Sequence, residues 1–292
     1  MKKILILGGC GYIGSSLYEY LRKSNKVDTV DLEWFGNFIN ENNIKEDYDN
    51  LTKIFLDNYD VVILTAANSS VSLCTDTFDT FDNNVPKFVN LVKKLDKQKF
   101  IYASSSCVYV TSDNSNKTES ALLDPLDNLT LSKTTIDNFM KLTNIEYYGL
   151  RFGSVNGYSP NMRLDLMINS MTISAKENLE VNVFNGHAYR PILEMNDLCR
   201  SVETIINSDE DKRGLYNISS FNKNIMEIGK SVAEYTGCKL TDKGKNFTYD
   251  FEISTEKFEK DYNFTFLGTI ESIIDSILNN TINKNWSKRE NK

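Results

Sequence analysis

Residues 4–14 read ILILGGCGYIG, a run of four apolar residues followed by glycines at positions 8, 11 and 14. The apolar run is typical of a buried strand, and apolar residues at helical spacing resume at Tyr12. Glycines at this spacing allow a tight turn. They also let backbone N–H groups approach an anion at the amino terminus of the following helix, where the helix dipole favours negative charge. The stretch therefore predicts a strand, a phosphate-binding turn and a helix.

A second strand, VDTVD over residues 27–31, ends in Asp31, 17 residues after Gly14. A carboxylate at this position accepts hydrogen bonds from the adenosine ribose and repels a 2′-phosphate. The combination predicts a βαβ unit that binds a dinucleotide, with NAD favoured over NADP; a glycine turn beside an unrelated surface Asp is the alternative. The cofactor-binding residues predicted from this unit are Gly8, Gly11, Tyr12, Ile13, Gly14 and Asp31.

Short apolar runs alternate with helical stretches up to about residue 157. Further strands are predicted over residues 61–64, 100–103 and 147–152, and helices over residues 86–95 and 131–142. Later the alternation loosens, with helices near 164–175, 225–235 and 270–278 and strands near 181–184 and 215–218. We expect an α/β fold: a Rossmann doubly wound parallel sheet over residues 1–157, rejoined by part of 181–218, and a smaller C-terminal α/β substrate lobe mainly over residues 158–292.

Composition narrows the choice of partners. The formal charge of −7 and the pI near 5.0 argue against nucleic acid and anionic membranes. The five cysteines are widely spaced without a Cys-x-x-Cys pair, which favours reduced thiols, and His187 is a lone loop histidine, so we expect no metal site. We see no signal peptide or membrane span, expect a cytoplasmic protein, and expect the polar tail over residues 283–292 to fray.

Several motifs together resemble the extended short-chain dehydrogenase/reductases, in particular the NAD-dependent nucleotide-sugar epimerases and dehydratases. The resemblance rests on residues 8–14, Asp31, Asp47-Tyr48, Thr65-Ala66-Ala67, Asn84, residues 104–109, residues 150–157, Arg190 and Asp197. It implies that Asp47 and Tyr48 contact the adenine and that Ala66 contacts the cofactor. Residues 157–166, GYSPNMRLDL, are similar to a subgroup that we associate with surface-polysaccharide sugars.

The resemblance also implies a catalytic Ser, Tyr and Lys, with Tyr four residues before Lys on one helix face. By their offsets in the motifs, the Ser is Ser105 and the Lys is Lys133, which would also hold the nicotinamide ribose and lower the pKa of the Tyr. The Tyr position is then residue 129, which is Leu129 and can carry no proton. We expect residue 129 to face the nicotinamide, so that Leu129→Tyr would complete the group.

Three residues could stand in for the missing Tyr: Cys107, Tyr109 and Tyr158, each of which could equally pack in the core or line the pocket. The dehydratases of the family carry Asp-Glu directly after the catalytic Ser. This chain has Ser106-Cys107 there, so we do not expect it to eliminate water by that route.

The substrate residues implied by the resemblance are Ser105, Ser154, Arg163 and Arg190. Arg190 precedes Pro191 where the family clamps a nucleotide diphosphate, a contact that suits a guanidinium; a surface ion pair is the alternative. Arg163 could face the sugar or pair with Asp165. The family also implies a homodimer through the helices over residues 86–95 and 131–142, although their apolar spacing serves an intrachain core equally well.

Two functional hypotheses follow. The first is an NAD-dependent oxidoreductase or epimerase that acts on a nucleotide-linked sugar, and Ser105 and Lys133 favour it. The second is a catalytically degenerate protein that binds NAD and sugar nucleotide as a regulatory or partner subunit, and Leu129 favours it.

Overall fold

The computed structural model of the chain describes residues 1–39, 43–69, 74, 77–109, 116–245 and 248–282. The strands are β1 (Lys3–Leu7), β2 (Lys26–Val30), β3 (Asn43–Ile44), β4 (Val61–Leu64), β5 (Lys99–Ser105), β6 (Asn116–Lys117), β7 (Tyr147–Phe152), β8 (Ser154–Asn156), β9 (Glu180–Val183), β10 (Tyr189–Glu194), β11 (Gly214–Ile218), β12 (Phe221–Asn224), β13 (Lys239–Asp242) and β14 (Glu252–Ile253). The helices are α1 (Tyr12–Leu21), α2 (Lys53–Leu56), α3 (Thr77–Val92), α4 (Asn128–Met140), α5 (Met167–Asn178), α6 (Met195–Asn207), α7 (Ile225–Thr236), α8 (Glu256–Tyr262) and α9 (Ile270–Leu278).

A seven-stranded sheet forms the centre of the molecule, in the order β11-β7-β5-β4-β1-β2-β3. Every neighbouring pair in it is parallel. The carboxyl ends of the strands therefore meet at one edge, where Gly8 follows β1, Asp31 follows β2 and Ser105 ends β5. Ligands of doubly wound sheets bind at this edge. The predicted α/β fold with a Rossmann sheet is confirmed.

Alternate residues of β1 pack into two apolar cores, one on each face of the sheet. Ile4 and Ile6 pack into the core that includes α1 and α6, whereas Leu5 and Leu7 pack into the core that includes α3 and α4. All four are fully buried, and burial of each such side chain contributes about 1.5–3 kcal/mol. The apolar run at the start of the chain is thus explained by helices on both faces.

Smaller sheets build the C-terminal part. β10 lies between β12, to which it is antiparallel, and β8, to which it is parallel. β9 pairs with β13, and β14 pairs with β6 from the first half of the chain. The strand predicted near residues 215–218 is β11, which completes the central sheet beside β7. A domain boundary at residue 157 stays a prediction.

Several elements differ from expectation. α3 begins at Thr77 and contains Pro86, whereas the sequence predicted a helix from residue 86. Proline removes one helical hydrogen bond, but the burial of Phe88 and Leu91 against the sheet stabilises the helix around it. α6, which lies against α1, was not predicted from the sequence, and neither were α2, α8 or the strands β3, β6, β8, β10, β12, β13 and β14. The tail over residues 283–292 lies outside the described residues.

Candidate active site

The backbone of the turn between β1 and α1 fixes its shape. The Gly8 N–H donates to the carbonyl of Val30 at 2.8 Å, and the Gly11 N–H donates to the carbonyl of Gly8 at 3.1 Å. A Cβ on Gly14 would lie 2.0 Å from the Gly8 oxygen, so no larger residue fits there. α1 begins at Tyr12, and Gly11 has no side chain to cap its first N–H groups. The turn presents a helix amino terminus that suits a phosphate group.

A cavity of about 220 Å³, here called the main cavity, lies along the carboxyl ends of β1, β2 and β4. It brings together every predicted cofactor residue except Lys133: Gly8, Gly11, Tyr12, Ile13, Gly14, Asp31, Asp47, Tyr48 and Ala66. Trp34 and Phe35 also line it. Neither residue was predicted from the sequence, because a loop residue that lines a cavity leaves no periodic pattern.

Asp31 is partly buried at the end of β2. Its Oδ2 accepts the Cys10 N–H at 3.1 Å and its Oδ1 accepts the Glu33 N–H at 2.7 Å. Burial raises the pKa of Asp31, and the two backbone donors oppose that rise. Because a carboxylate accepts more than two hydrogen bonds, Asp31 can still receive hydroxyl donors from a ligand in the main cavity.

The side chain of Asp47 is already engaged within the protein. Its Oδ2 accepts from the Lys87 ammonium at 2.6 Å, and its Oδ1 accepts the Asp49 N–H at 3.0 Å. The second contact caps a short 3₁₀ turn that begins at Tyr48. Asp47 therefore shapes the wall of the main cavity by fixing this turn.

The segment that follows β8 is attached to the glycine turn. The Tyr12 hydroxyl donates to the carbonyl of Gly157 at 2.8 Å, Ser159 Oγ donates to the carbonyl of Tyr12 at 2.6 Å, and Asn161 Nδ2 donates to the carbonyl of Cys10 at 2.6 Å. These bonds place Arg163 and Asp165 on the main cavity as an ion pair, with Arg163 Nε 3.1 Å from Asp165 Oδ1. Arg163, predicted to bind substrate, thus lies beside the predicted cofactor residues.

Lys133 lies on α4 beneath the end of β5. Its ammonium donates to the carbonyl of Ala103 at 2.7 Å. Burial lowers the pKa of Lys133 to about 8, against the opposing charge of Asp137. Lys133 does not line the main cavity, but it lines a small neighbouring hollow that shares Tyr48, Ala66 and Ala67 with that cavity.

A polar group of five residues, here called the Arg190 cluster, gathers beyond the end of β5: Ser105, Cys107, Asp127, Arg190 and Tyr249. Ser105 Oγ accepts the Cys107 N–H at 3.2 Å. Burial raises the pKa of the Cys107 thiol, and the nearby Arg190 guanidinium opposes that rise. Cys107 is therefore a thiol, not a thiolate, at neutral pH.

Arg190 is held by contacts from the segment that precedes β14. Its guanidinium lies 5.7 Å from the centroid of the Tyr249 ring, and its Nη1 donates to Thr248 Oγ1 at 3.4 Å. Within the described residues its Nε is buried and has no hydrogen-bond partner. An N–H in this state has a strong preference for a ligand oxygen.

The amino terminus of α4 carries Leu129 as its second residue, and this side chain is half-buried. Asp127 precedes the helix and forms a capping box with Thr130. The Asp127 Oδ2 also accepts the hydroxyl of Tyr249 at 2.6 Å. A phenol from the C-terminal part thus lies against the end of α4, two residues from Leu129.

Other predicted residues lie elsewhere. Tyr109 is fully buried, donates to Asn217 Oδ1 at 2.6 Å and accepts from Arg151 at 2.8 Å, so it belongs to a structural network and is not a stand-in for the missing Tyr. Ser154 begins β8 and pairs in register with Ile192.

Three further residues were singled out in the sequence. Tyr158 packs against the main core and His187 is exposed. Asp197 is fully buried and accepts the N–H groups of Leu267 and Gly268 at 3.0 and 2.7 Å, which gives it a structural role.

Among the residues that the structure describes, no group of three or more His, Cys, Asp or Glu side chains is placed to hold a metal ion. In that same part of the chain, no helix is long and apolar enough to cross a bilayer.

The parallel sheet, the glycine turn and Asp31 define a dinucleotide-binding protein of the Rossmann class. The family model for the NAD dependent epimerase/dehydratase family matches residues 4–219, and the chain belongs to that family. The prediction of NAD as cofactor is confirmed at the level of the family.

Individual proteins that are similar to this chain are consistent with its membership of the family. Protein CapI of Staphylococcus aureus is 28% identical over 233 residues, which cover 70% of this chain and 69% of that protein. The ADP-L-glycero-D-manno-heptose-6-epimerase of Brachyspira hyodysenteriae is 25% identical over 256 residues, covering 79% and 80%. The crystal structure of the Helicobacter pylori enzyme of that name superposes with a TM-score of 0.83 at 24% identity, covering 95% of each chain, which supports the fold.

Proposed function

We propose that the protein catalyses NAD-dependent epimerisation or oxidation of a nucleotide-linked sugar. The observation that carries this proposal is the buried Nε of Arg190, which lacks a partner among the described residues and belongs to the same cluster as Ser105. A diphosphate oxygen would satisfy that N–H with a charge-assisted hydrogen bond. The proposal also draws on family membership and on the sugar-nucleotide epimerase among the relatives.

NAD would occupy the main cavity. The amino terminus of α1 would hold the pyrophosphate, Asp31 would accept from the adenosine ribose, and Lys133 would turn its ammonium to the nicotinamide ribose. Bound NAD supplies the acceptor and donor of hydride. Ser105 would hydrogen-bond the sugar hydroxyl that is oxidised, and Arg190 would hold the diphosphate.

Sugar identity is best sought among four nucleotides. The relatives include an ADP-L-glycero-D-manno-heptose-6-epimerase, and residues 157–166 are similar to a subgroup that we associate with surface-polysaccharide sugars, so the carriers to test are ADP, UDP, GDP and dTDP. Dehydration is disfavoured because Ser106 and Cys107 follow Ser105, and neither is a carboxylate.

The test is a panel of UDP-, GDP-, dTDP- and ADP-sugars with NAD, with products identified by NMR. We expect turnover of at least one sugar, and Arg190→Gln should raise its KM about tenfold or more because a charge-assisted contact is lost. Arg200→Gln is the control, since Arg200 pairs with Asp197 away from the cluster. Absence of both turnover and nucleotide-sugar affinity would overturn the proposal.

A second candidate function is a binding subunit, and Leu129 is the observation that favours it, because the helix that carries Lys133 offers no proton-carrying group at that position. Under this function the protein retains NAD and nucleotide sugar without turnover. Ser105→Ala and Lys133→Met would then change ligand affinity alone.

We also propose that the protein is a cytoplasmic homodimer that pairs through α3 and α4. These helices pack side by side on one face of the sheet, and Leu131 on α4 is 39% exposed. Light scattering over a range of concentrations tests the dimer, and a constant monomer mass would contradict it.

A further inference from the structure

We propose that Trp34 and Phe35 form an aromatic wall for the adenosine end of NAD, and that Glu33 holds this wall in place. Both residues line the main cavity. This assignment rests on the part of the proposed function that concerns NAD and does not depend on which sugar is turned over. It adds a contact surface for the base to the ribose contact predicted for Asp31.

The order of the strands decides which end of NAD lies beside these two residues. β2 and β3 lie on one side of β1, and β4 and β5 lie on the other. The glycine turn after β1 suits the pyrophosphate, so the two nucleosides of NAD would extend to opposite sides of it. Ser105 ends β5 and Lys133 bonds to that strand, so the nicotinamide belongs on the β5 side. The adenosine then lies on the β2 side, with Asp31, Trp34 and Phe35.

Trp34 and Phe35 are the two central residues of a β-turn. The Gly36 N–H donates to the carbonyl of Glu33 at 3.0 Å, which closes the turn around them. Glu33 has a φ of 57° and Gly36 has a φ of 89°, so both ends of the turn lie in the left-handed region. A residue other than glycine adopts this conformation only where its surroundings hold it there, so the contacts of Glu33 matter for the turn.

The Glu33 residue is held by several hydrogen bonds. Its Oε1 accepts from Asn37 Nδ2 and Asn43 Nδ2, both at 3.0 Å, and its Oε2 lies 3.3 Å from Lys45 Nζ. The Glu33 N–H donates to Asp31 Oδ1 at 2.7 Å. Because Asn43 begins β3, the turn is tied both to the end of β2 and to the edge strand of the central sheet. The aromatic wall is thus preorganised beside the predicted ribose contact.

The Trp34 side chain has ring surface to offer. It is 46% exposed although it lines the main cavity, so a planar group bound in that cavity could cover part of its ring. The adenine is the planar, uncharged group that NAD brings to the β2 side. Stacking of a base on an aromatic side chain typically changes affinity about 5- to 150-fold when the side chain is truncated to alanine.

Calorimetry with NAD and with ADP-ribose, which lacks the nicotinamide, tests the aromatic wall. Trp34→Ala should weaken both ligands by the same factor, about 5- to 150-fold, because the loss is confined to the adenosine end. Trp34→Phe keeps a stacking face and should lose less affinity than Trp34→Leu, which keeps only apolar bulk. Phe184→Ala is the matched control, because Phe184 is 48% exposed but does not line the main cavity.

Two results of this experiment would overturn the proposal. One is an NAD affinity of Trp34→Ala within twofold of the wild type. The other is a loss of NAD affinity without any loss of ADP-ribose affinity, which would place Trp34 at the nicotinamide end.

The fluorescence of Trp34 reports the same contact in the protein that keeps this residue. The chain has two tryptophans, and Trp286 lies outside the described residues, so Trp286→Phe leaves Trp34 as the only tryptophan. We expect saturating ADP-ribose to quench its emission, because a stacked base covers the ring. Unchanged emission at a concentration that calorimetry shows to be saturating would contradict the contact.

Glu33 is a positioning residue, because it would act on NAD only through the turn. Glu33→Ala should lower NAD affinity about three- to tenfold, and Glu33→Gln, which keeps an oxygen for Asn37 and Asn43, should stay within about twofold of the wild type. In a protein that already carries Trp34→Ala and Phe35→Ala, Glu33→Ala should cause less than about a twofold further loss. Additive losses would show that Glu33 does not act through the aromatic wall.

The control for Glu33 is Glu19→Ala, because Glu19 also pairs with a cation, Arg22, but on the surface of α1. It should leave the affinity for both ligands unchanged. A wild type without affinity for NAD would overturn the cofactor of the proposed function and the aromatic wall together. A wild type that binds NAD but turns over no sugar would overturn the proposed enzyme alone.

Discussion

The two halves of the site are assembled differently. The cofactor half is a turn between β1 and α1 with Asp31 at the end of the next strand, and its shape depends on backbone bonds such as Gly8 to Val30. The Arg190 cluster draws its members from the end of β5, the cap of α4, the start of β10 and the segment before β14. In the glycine turn, a substitution changes the backbone that shapes the site. In the Arg190 cluster, a substitution changes one side chain and leaves the backbone of the other elements as it is.

The difference bears on Leu129, which occupies the position where the family resemblance implies a catalytic Tyr. Side chains in the cluster come from separate elements, so a substitution on one element leaves the sheet and the other elements in place. Tyr249 illustrates this, because it reaches Asp127 across 122 residues of sequence. The glycine turn does not tolerate a larger side chain, because a Cβ on Gly14 would lie only 2.0 Å from the Gly8 oxygen.

The largest effect is expected in the cofactor half. Gly14→Ala would place a Cβ 2.0 Å from the Gly8 oxygen and force the turn open, so NAD affinity should fall more than about 100-fold. Gly11→Ala is the comparison, because its Cβ would lie 3.3 Å from the same oxygen and should cost much less. Calorimetry with NAD measures both. Equal, small losses would show that the turn is not rigid.

Local motifs made the cofactor half predictable. Strand, turn and helix lie within one short stretch, and the fixed spacing to Asp31 followed from a single βαβ unit. α9 was predictable for the same reason. Apolar residues at helical spacing lie within one short stretch, and the observed helix, Ile270–Leu278, has the predicted bounds. Trp34 and Phe35 were missed because exposure to a cavity leaves no periodic pattern in a loop.

The rest could not be read from the sequence for physical reasons. Tyr249 contacts Asp127 and Arg190, although both are distant from it in the sequence. Arg163 was expected near the sugar, yet the bonds from residues 157–161 to the glycine turn bring it to the main cavity. Long-range pairing of this kind has no local signature.

Lys133 bonds to the end of β5 and lines the small hollow next to the main cavity. Its pKa provides the second prediction, which concerns stability. Burial lowers its pKa from 10.5 to about 8, so between these values the unfolded chain holds a proton that the folded protein does not. Stability conferred by a neutral Lys133 therefore grows as pH rises through this window. The unfolding free energy of the wild type relative to Lys133→Met should rise by about 3 kcal/mol from below to above the window.

Urea unfolding of both proteins without NAD, at several pH values, measures this difference. Met is the matched replacement because it has similar length and no charge. Parallel stability curves for the two proteins would mean that Lys133 keeps its ordinary pKa and is solvated.

Asp31→Ala should have the next smaller effect and test the choice of cofactor. Removing the carboxylate loses its bonds to the ribose and the repulsion of a 2′-phosphate, so NAD affinity should fall about 10- to 100-fold and NADP affinity should rise. Asp28→Ala is the control, since Asp28 lies on the same strand and pairs with Tyr59. An unchanged ratio of the two affinities would remove Asp31 from cofactor selection.

The smallest expected effect concerns Arg163, the one predicted substrate residue that the structure places in the cofactor half. Its guanidinium is already paired with Asp165 and would meet NAD only at the wall of the main cavity, so Arg163→Ala should weaken NAD about two- to fivefold, less than about 1 kcal/mol. Arg213→Ala is the matched control, because Arg213 also pairs with an Asp two residues away but precedes β11, at the opposite edge of the sheet.

Calorimetry with NAD and the KM for the sugar separate the two placements of Arg163. A loss confined to NAD affinity assigns Arg163 to the cofactor half. A loss confined to the sugar KM, with NAD affinity equal to that of Arg213→Ala, would mean that Arg163 leaves Asp165 when substrate binds. The segment over residues 157–166 would then connect the two halves of the site, and the rigid half would include less of the chain than its hydrogen bonds indicate.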